Sequence, residues 1–69
     1  MSKSISASVR MGLAGKKMEQ MELASIVNVR RETVSSWCNG HSIPLYERQV
    51  KIAAAFGVSH SDFIKWGEL

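Results

Sequence analysis

Apolar residues recur three and four positions apart along most of the chain, and nowhere do they alternate strictly with polar ones as in a half-buried strand. Ile5, Val9 and Leu13 mark a first helical stripe, and Gly15 is expected to end that helix. Lys16 and Lys17 follow, where they suit the negative pole of a helix end. A second stripe runs through Met21, Leu23, Ala24 and Val27, and Asn28 then suits a left-handed turn. A third helix is predicted from about Arg31 to Asn39, closed by Gly40. The loop His41-Ser42-Ile43-Pro44 leads into a fourth helix, with Pro44 expected to set its first turn. Its stripe is read as Tyr46, Val50, Ala53 and either Ala54 or Phe56, with Gly57 closing it and Val58 packing back. Ser59 and Asp62 have the spacing of a capping box and open a last short helix that carries Phe63, Ile64 and Trp66. The pattern predicts an all-α fold of five short helices with tight connections.

The third helix has two different faces. With Val34 at about 0° on a wheel of about 100° per residue, Trp37 falls at about 300°, Cys38 at about 40° and Thr33 at about 260°. Glu32, Ser35, Ser36 and Asn39 lie opposite, with Arg31 on the flank. Before this helix, Ala24 supplies a small residue for a helix crossing, and Asn28 tolerates the turn. Val29, Val34 and Trp37 can pin one helix to the other. This is the plan of a helix-turn-helix, whose second helix presents a polar face to a DNA major groove.

Charge agrees with a polyanionic partner. Residues 1–31 hold six basic side chains against two acidic ones, and residues 32–69 hold three against four. The length of 69 residues allows one domain, residues 1–69, with little room for an active-site cleft. The single Cys38 rules out an internal disulfide, which fits a cytoplasmic location. The longest apolar run, Ile52 to Val58, is too short to span a bilayer. Cys38 and His41 have a metal-like spacing, but a closed zinc site takes four ligands and only His60 could add to them. No nucleophile, base and acid are gathered by the sequence. No catalytic residue, metal, cofactor or small-molecule ligand is therefore expected.

The run Gln20, Leu23-Ala24, Asn28-Val29, Val34, Trp37, Asn39-Gly40, Pro44, Ala53 and Gly57-Val58 resembles the lambda-type Cro and CI repressor family from about Val9 to Ile64. The resemblance implies a compact five-helix, lambda-repressor-like domain that binds double-stranded operator DNA, usually as a homodimer. Carried onto this chain, it assigns base reading to Arg31, Glu32 and Ser36. It assigns phosphate contacts to Gln20, Asn39 and Gly40, to which the basic Arg30 and Lys17 are added. Three positions depart from the family pattern. Asn28 stands where glycine is usual, and Arg30 where Ser or Thr often caps the recognition helix. Cys38 stands where a glutamate often pairs with an arginine of the first helix, so that pair is expected to be missing.

The chain stops where such a DNA-binding domain would, which favours a Cro-like phage repressor over a full-length CI-type protein. Phe63, Ile64, Trp66 and Leu69 place many apolar groups in one short helix, so they are candidates for a dimer interface that is weak without DNA. Glu32 has two readings, as an acceptor from a cytosine amino group or as a clamp on a neighbouring arginine. An antitoxin or restriction-modification controller of the same fold is an alternative function. So is a protein-interaction module that does not touch DNA.

Overall fold

In a computed structural model, residues 5–68 are described, and five helices account for most of them: α1 (Ile5–Gly15), α2 (Gln20–Val27), α3 (Arg31–Asn39), α4 (Tyr46–Ala55) and α5 (His60–Trp66). No strand occurs among the described residues. Four of the helix ends share one construction, in which a residue of positive φ turns the chain and two amides bond back into the last helical turn. These residues are Lys17 (φ 52°), Asn28 (φ 61°), Gly40 (φ 77°) and Gly57 (φ 75°). The paired bonds run from Met18 and Lys17 to Leu13 and Ala14, and from Val29 and Asn28 to Ala24 and Ser25. They run from His41 and Gly40 to Ser36 and Trp37, and from Val58 and Gly57 to Ala53 and Ala54. Gly15 is helical, and Lys17 rather than Gly15 makes the first corner.

The core is built from Val9 and Leu13 of α1, Leu23, Ala24 and Val27 of α2, and Val34, Trp37 and Cys38 of α3, with Ile52, Ala53, Phe56 and Phe63 closing it. α1 approaches so closely that a Cβ on Gly12 would come within 2.2–2.6 Å of three carbons of the Phe56 ring. Phe56, Phe63 and Trp66 stack in tilted and edge-on contacts with centroids 6.1–6.4 Å apart.

Three expectations need correction. Met21 is exposed, because it lies about 200° around the wheel from Leu23 and leaves the buried arc to Leu23, Ala24 and Val27. α4 starts at Tyr46 with Leu45 as its N-cap, so Pro44 stands outside it. There Pro44 is buried, and its carbonyl accepts from Gln49 Nε2 at 2.9 Å. The inward face of α4 is Ile52, Ala53 and Phe56, while Tyr46, Val50 and Ala54 face outward. The polar Arg48 and Gln49 disguise this phase, because both turn toward neighbouring elements to bond their main chain. Arg48 Nη1 donates to Val27 O at 2.8 Å, where it satisfies the negative end of α2.

Candidate nucleic-acid interface

α3 is held from behind and left open in front. Val34, Trp37 and Cys38 are buried, whereas Arg31, Glu32 and Asn39 are exposed and Thr33, Ser35 and Ser36 half-buried. Asn28 sets the angle at which α3 leaves α2. Its left-handed φ lets Val29 bond to Ala24 and pack on the core. The N-cap, Arg30, has extended backbone and makes no side-chain cap, so its guanidinium is not spent on the helix.

The C-terminal end of α3 is fastened to α1 by a contact that the sequence reading does not contain. Arg10 Nη1 donates to the carbonyl of Cys38, and Ser6 Oγ donates to the same oxygen at 3.5 Å. With cysteine at position 38 in place of a carboxylate, the arginine reaches the main chain of that residue. A cation beside the last carbonyls of a helix is favoured by their dipoles. The Cys38 thiol lies behind this contact. Burial raises its pKa, an effect that the charge of Arg10 partly offsets, so the protonated thiol is favoured. No cluster of three metal-ligating side chains occurs among the described residues.

Beside this junction, a shallow groove is lined by Arg10, Lys17, Glu19, Gln20, Cys38 and Asn39, among others. It brings together Lys17, Gln20 and Asn39 from three different segments. Gly40 adjoins Asn39 at the left-handed corner, and Arg30 stands at the other end of α3. The first turn of α2 is not a bare positive pole. The Glu19 side chain accepts from the Glu22 amide, and Glu22 Oε1 accepts from the Glu19 amide at 2.9 Å. This capping pair uses the amides of Glu19 and Glu22, not those of Gln20 and Met21, and sets two carboxylates at the start of α2.

Two further details bear on the reading face. Glu32 forms no ion pair with Arg30 or Arg31, so the clamp on a neighbouring arginine is not made here. Ser36 Oγ is 2.8 Å from Ser42 Oγ, which ties the loop after α3 to the helix. Sequence spacing could not show this pair, because the corner at Gly40 folds residue 42 back. Of the apolar residues at the end of the chain, Phe63 is fully buried and has no surface for a partner. Ile64 and Trp66 are half-buried and pack on the core, and Leu69 lies outside the described residues.

A recognition helix presented in this way, on a left-handed corner and with polar and charged side chains along its open face, defines a helix-turn-helix module. The model of the helix-turn-helix family of Cro/CI type matches residues 10–63, and the chain belongs to that family. Similar solved structures carry the same fold. The clp gene regulator ClgR of Corynebacterium glutamicum aligns with 96% of this chain and 70% of its own at 23% identity, with a TM-score of 0.89. The P22 c2 repressor, solved in complex with a synthetic operator, aligns over 94% of this chain and 98% of its own at 20% identity, with a TM-score of 0.81. Hydroxypropylphosphonic acid epoxidase of S. wedmorenis contains the fold in 34% of its length, matching 91% of this chain at 25% identity, with a TM-score of 0.80. No curated protein sequence matches the chain.

Proposed function

We propose that the protein is a sequence-specific regulator of transcription, a Cro-like phage repressor acting in the cytoplasm as one DNA-binding domain. α3 enters the major groove of a near-palindromic operator. Arg31 at its N-terminus meets guanine O6 and N7 with two hydrogen bonds, and the unpaired Glu32 carboxylate accepts from a cytosine amino group. Ser36, held by Ser42, lets the helix come close and offers a hydroxyl to a base. Lys17, the Gln20 side chain and the amides of Gln20 and Met21 hold one phosphate strand. Asn39 and Gly40 hold it at the end of α3, and Arg30 holds a phosphate at its start. Two copies bind one site, because a single short helix reads too few base pairs to stand out among the competing sites of a genome.

The observation that carries this reading is the exposed pair Arg31 and Glu32 at the front of a helix whose back is buried. Selection of bound sequences from random duplex DNA tests it. The expected product is an enriched motif with two related half-sites about one helical turn, roughly 34 Å, apart. Recovery of unenriched sequences would contradict it and favour a protein-interaction module.

A further inference from the structure

The loop after α3 is anchored at both of its ends. The His41 amide donates to the Ser36 carbonyl at 3.0 Å across the left-handed corner at Gly40. Further on, Pro44 is buried. Gln49 Nε2 donates to its carbonyl at 2.9 Å, and Gln49 Oε1 lies 2.9 Å from His60 Nε2. Ser42 stands between these anchors, and its Oγ is 2.8 Å from Ser36 Oγ, the ordinary length of a bond between hydroxyls. A serine inside a helix commonly turns its hydroxyl back onto a carbonyl of the preceding turn. Ser36 makes no such bond among the described residues, where its hydroxyl is engaged by Ser42 alone. In open water this bond contributes little, because either hydroxyl can bond to water instead. Its consequence is direction. Two hydroxyls in contact share one proton between them, and the other proton points away. A lone serine meets a donor or an acceptor on a base edge equally well and so distinguishes neither.

We propose that Ser42 is a positioning residue for base reading: it donates to Ser36 Oγ and thereby fixes Ser36 as a donor to an acceptor on a base edge. The inference rests on the DNA-binding reading, with Ser36 as one of its base-reading residues. Two features set this direction rather than the reverse. Ser36 lies in the last turn of α3, where the carbonyl ends create a negative potential that favours a proton arriving from Ser42. The major groove also shows more acceptors than donors. Purine N7, guanine O6 and thymine O4 stand there against the amino groups of adenine and cytosine. In the reverse arrangement Ser36 would offer only lone pairs to a mostly accepting groove. Loss of water at the interface removes the alternative partners and strengthens the direction once it is set. The anchored loop holds Ser42 in place before DNA arrives, so little ordering is left to complete on binding. Glu32, one helical turn earlier on the same helix, has the opposite chemistry, since a carboxylate only accepts. The open face of α3 therefore carries a fixed acceptor at Glu32 and, through Ser42, a fixed donor at Ser36.

The test is a double-mutant cycle read on DNA. The wild type, Ser36→Ala, Ser42→Ala and the double variant are compared by competition binding on the selected operator and on random duplex, and the selection is repeated for each. Ser42→Ala, checked for an unchanged melting temperature, should lose about three- to tenfold on the operator and little on random duplex. It should also tolerate an adenine or cytosine amino group at the base pair where Ser36→Ala relaxes selection. Ser42→Thr keeps the hydroxyl and should keep the discrimination of the wild type. In the Ser36→Ala background, loss of the Ser42 hydroxyl should have no further effect, because Ser42 acts only through Ser36. Additive losses would show that Ser42 touches DNA itself and would overturn the proposal. So would a Ser42→Ala variant that binds and selects as the wild type does. If a motif is selected and Arg31→Ala weakens it while Ser42→Ala does not, the inference alone falls. If no motif is selected, the DNA-binding reading fails and the inference falls with it.

Discussion

Lys17 and Asn28 hold the same left-handed backbone as Gly40 and Gly57, but each carries a Cβ that crowds the neighbouring carbonyl. Asn tolerates this conformation better than Lys. Lys17→Gly is therefore expected to raise the melting free energy by up to about 1 kcal/mol, and Asn28→Gly by less, since glycine also loosens the unfolded chain. Asn28→Val should lower it clearly, because a β-branched side chain resists that region. Thermal melting checks all three, and an unaltered valine variant would contradict the corner. Gly12→Ala should go the other way from helix propensity. Alanine favours helices by about 1 kcal/mol, but here its methyl meets the Phe56 ring, and the expected net loss is about 1–3 kcal/mol. Both glycine effects differ in how far the sequence reveals them. Asn28 is legible because asparagine is enriched in left-handed turns, whereas lysine gives no such sign. A glycine inside a helical pattern hints at close approach, but it does not say what approaches.

At the scale of the helices, the orientation of α3 depends on its two ends. Its start is set by the corner at Asn28, and its last carbonyls by Arg10. Arg10→Met keeps the length of the side chain but removes the charged donor, so stability should fall by about 1 kcal/mol. Operator affinity should fall further than random-DNA affinity, because base reading needs the helix aligned more closely than phosphate contact does. A loss confined to stability would show that Arg10 does not position α3. The positions of all five helices follow from apolar spacing and caps, and so do the two faces of α3. The phase of α4 does not. Its apolar residues fit two overlapping stripes, and the choice between them is made by Arg48 and Gln49, whose hydrogen bonds reach main-chain atoms of other segments. For the same reason the Arg10 contact was hidden, since a main-chain carbonyl carries no residue identity to pair with.

Across the whole molecule, the groups proposed to bind phosphate come from the α1–α2 corner, the start of α2 and both ends of α3. In the proposed complex the chain would meet the DNA backbone on either side of the reading helix. Each cationic contact displaces counterions, so log K should fall with log salt by about 0.9 for every phosphate neutralised. Lys17→Gln and Arg30→Gln should each lower that slope by about 1 per bound copy and weaken all sequences alike. Fluorescence anisotropy across a salt series measures this, and a slope untouched by both changes would remove these side chains from the backbone contact. The apolar end of the chain illustrates what composition conceals at this scale. Phe63 and Trp66 stack on Phe56, and the large apolar side chains that stay exposed lie elsewhere, among them Met21 and Ile26 of α2 and Ile43, Leu45 and Tyr46 after α3.

Sequence reading by α3 is tested most directly by competition binding of the Arg31→Ala variant to the selected operator and to random duplex at one salt concentration. The loss on the operator should be about 1–3 kcal/mol, with a much smaller loss on random DNA and relaxed selection at the base pair that Arg31 meets. Equal losses on both duplexes, or none on either, would contradict the assignment of α3 as the helix that reads the sequence.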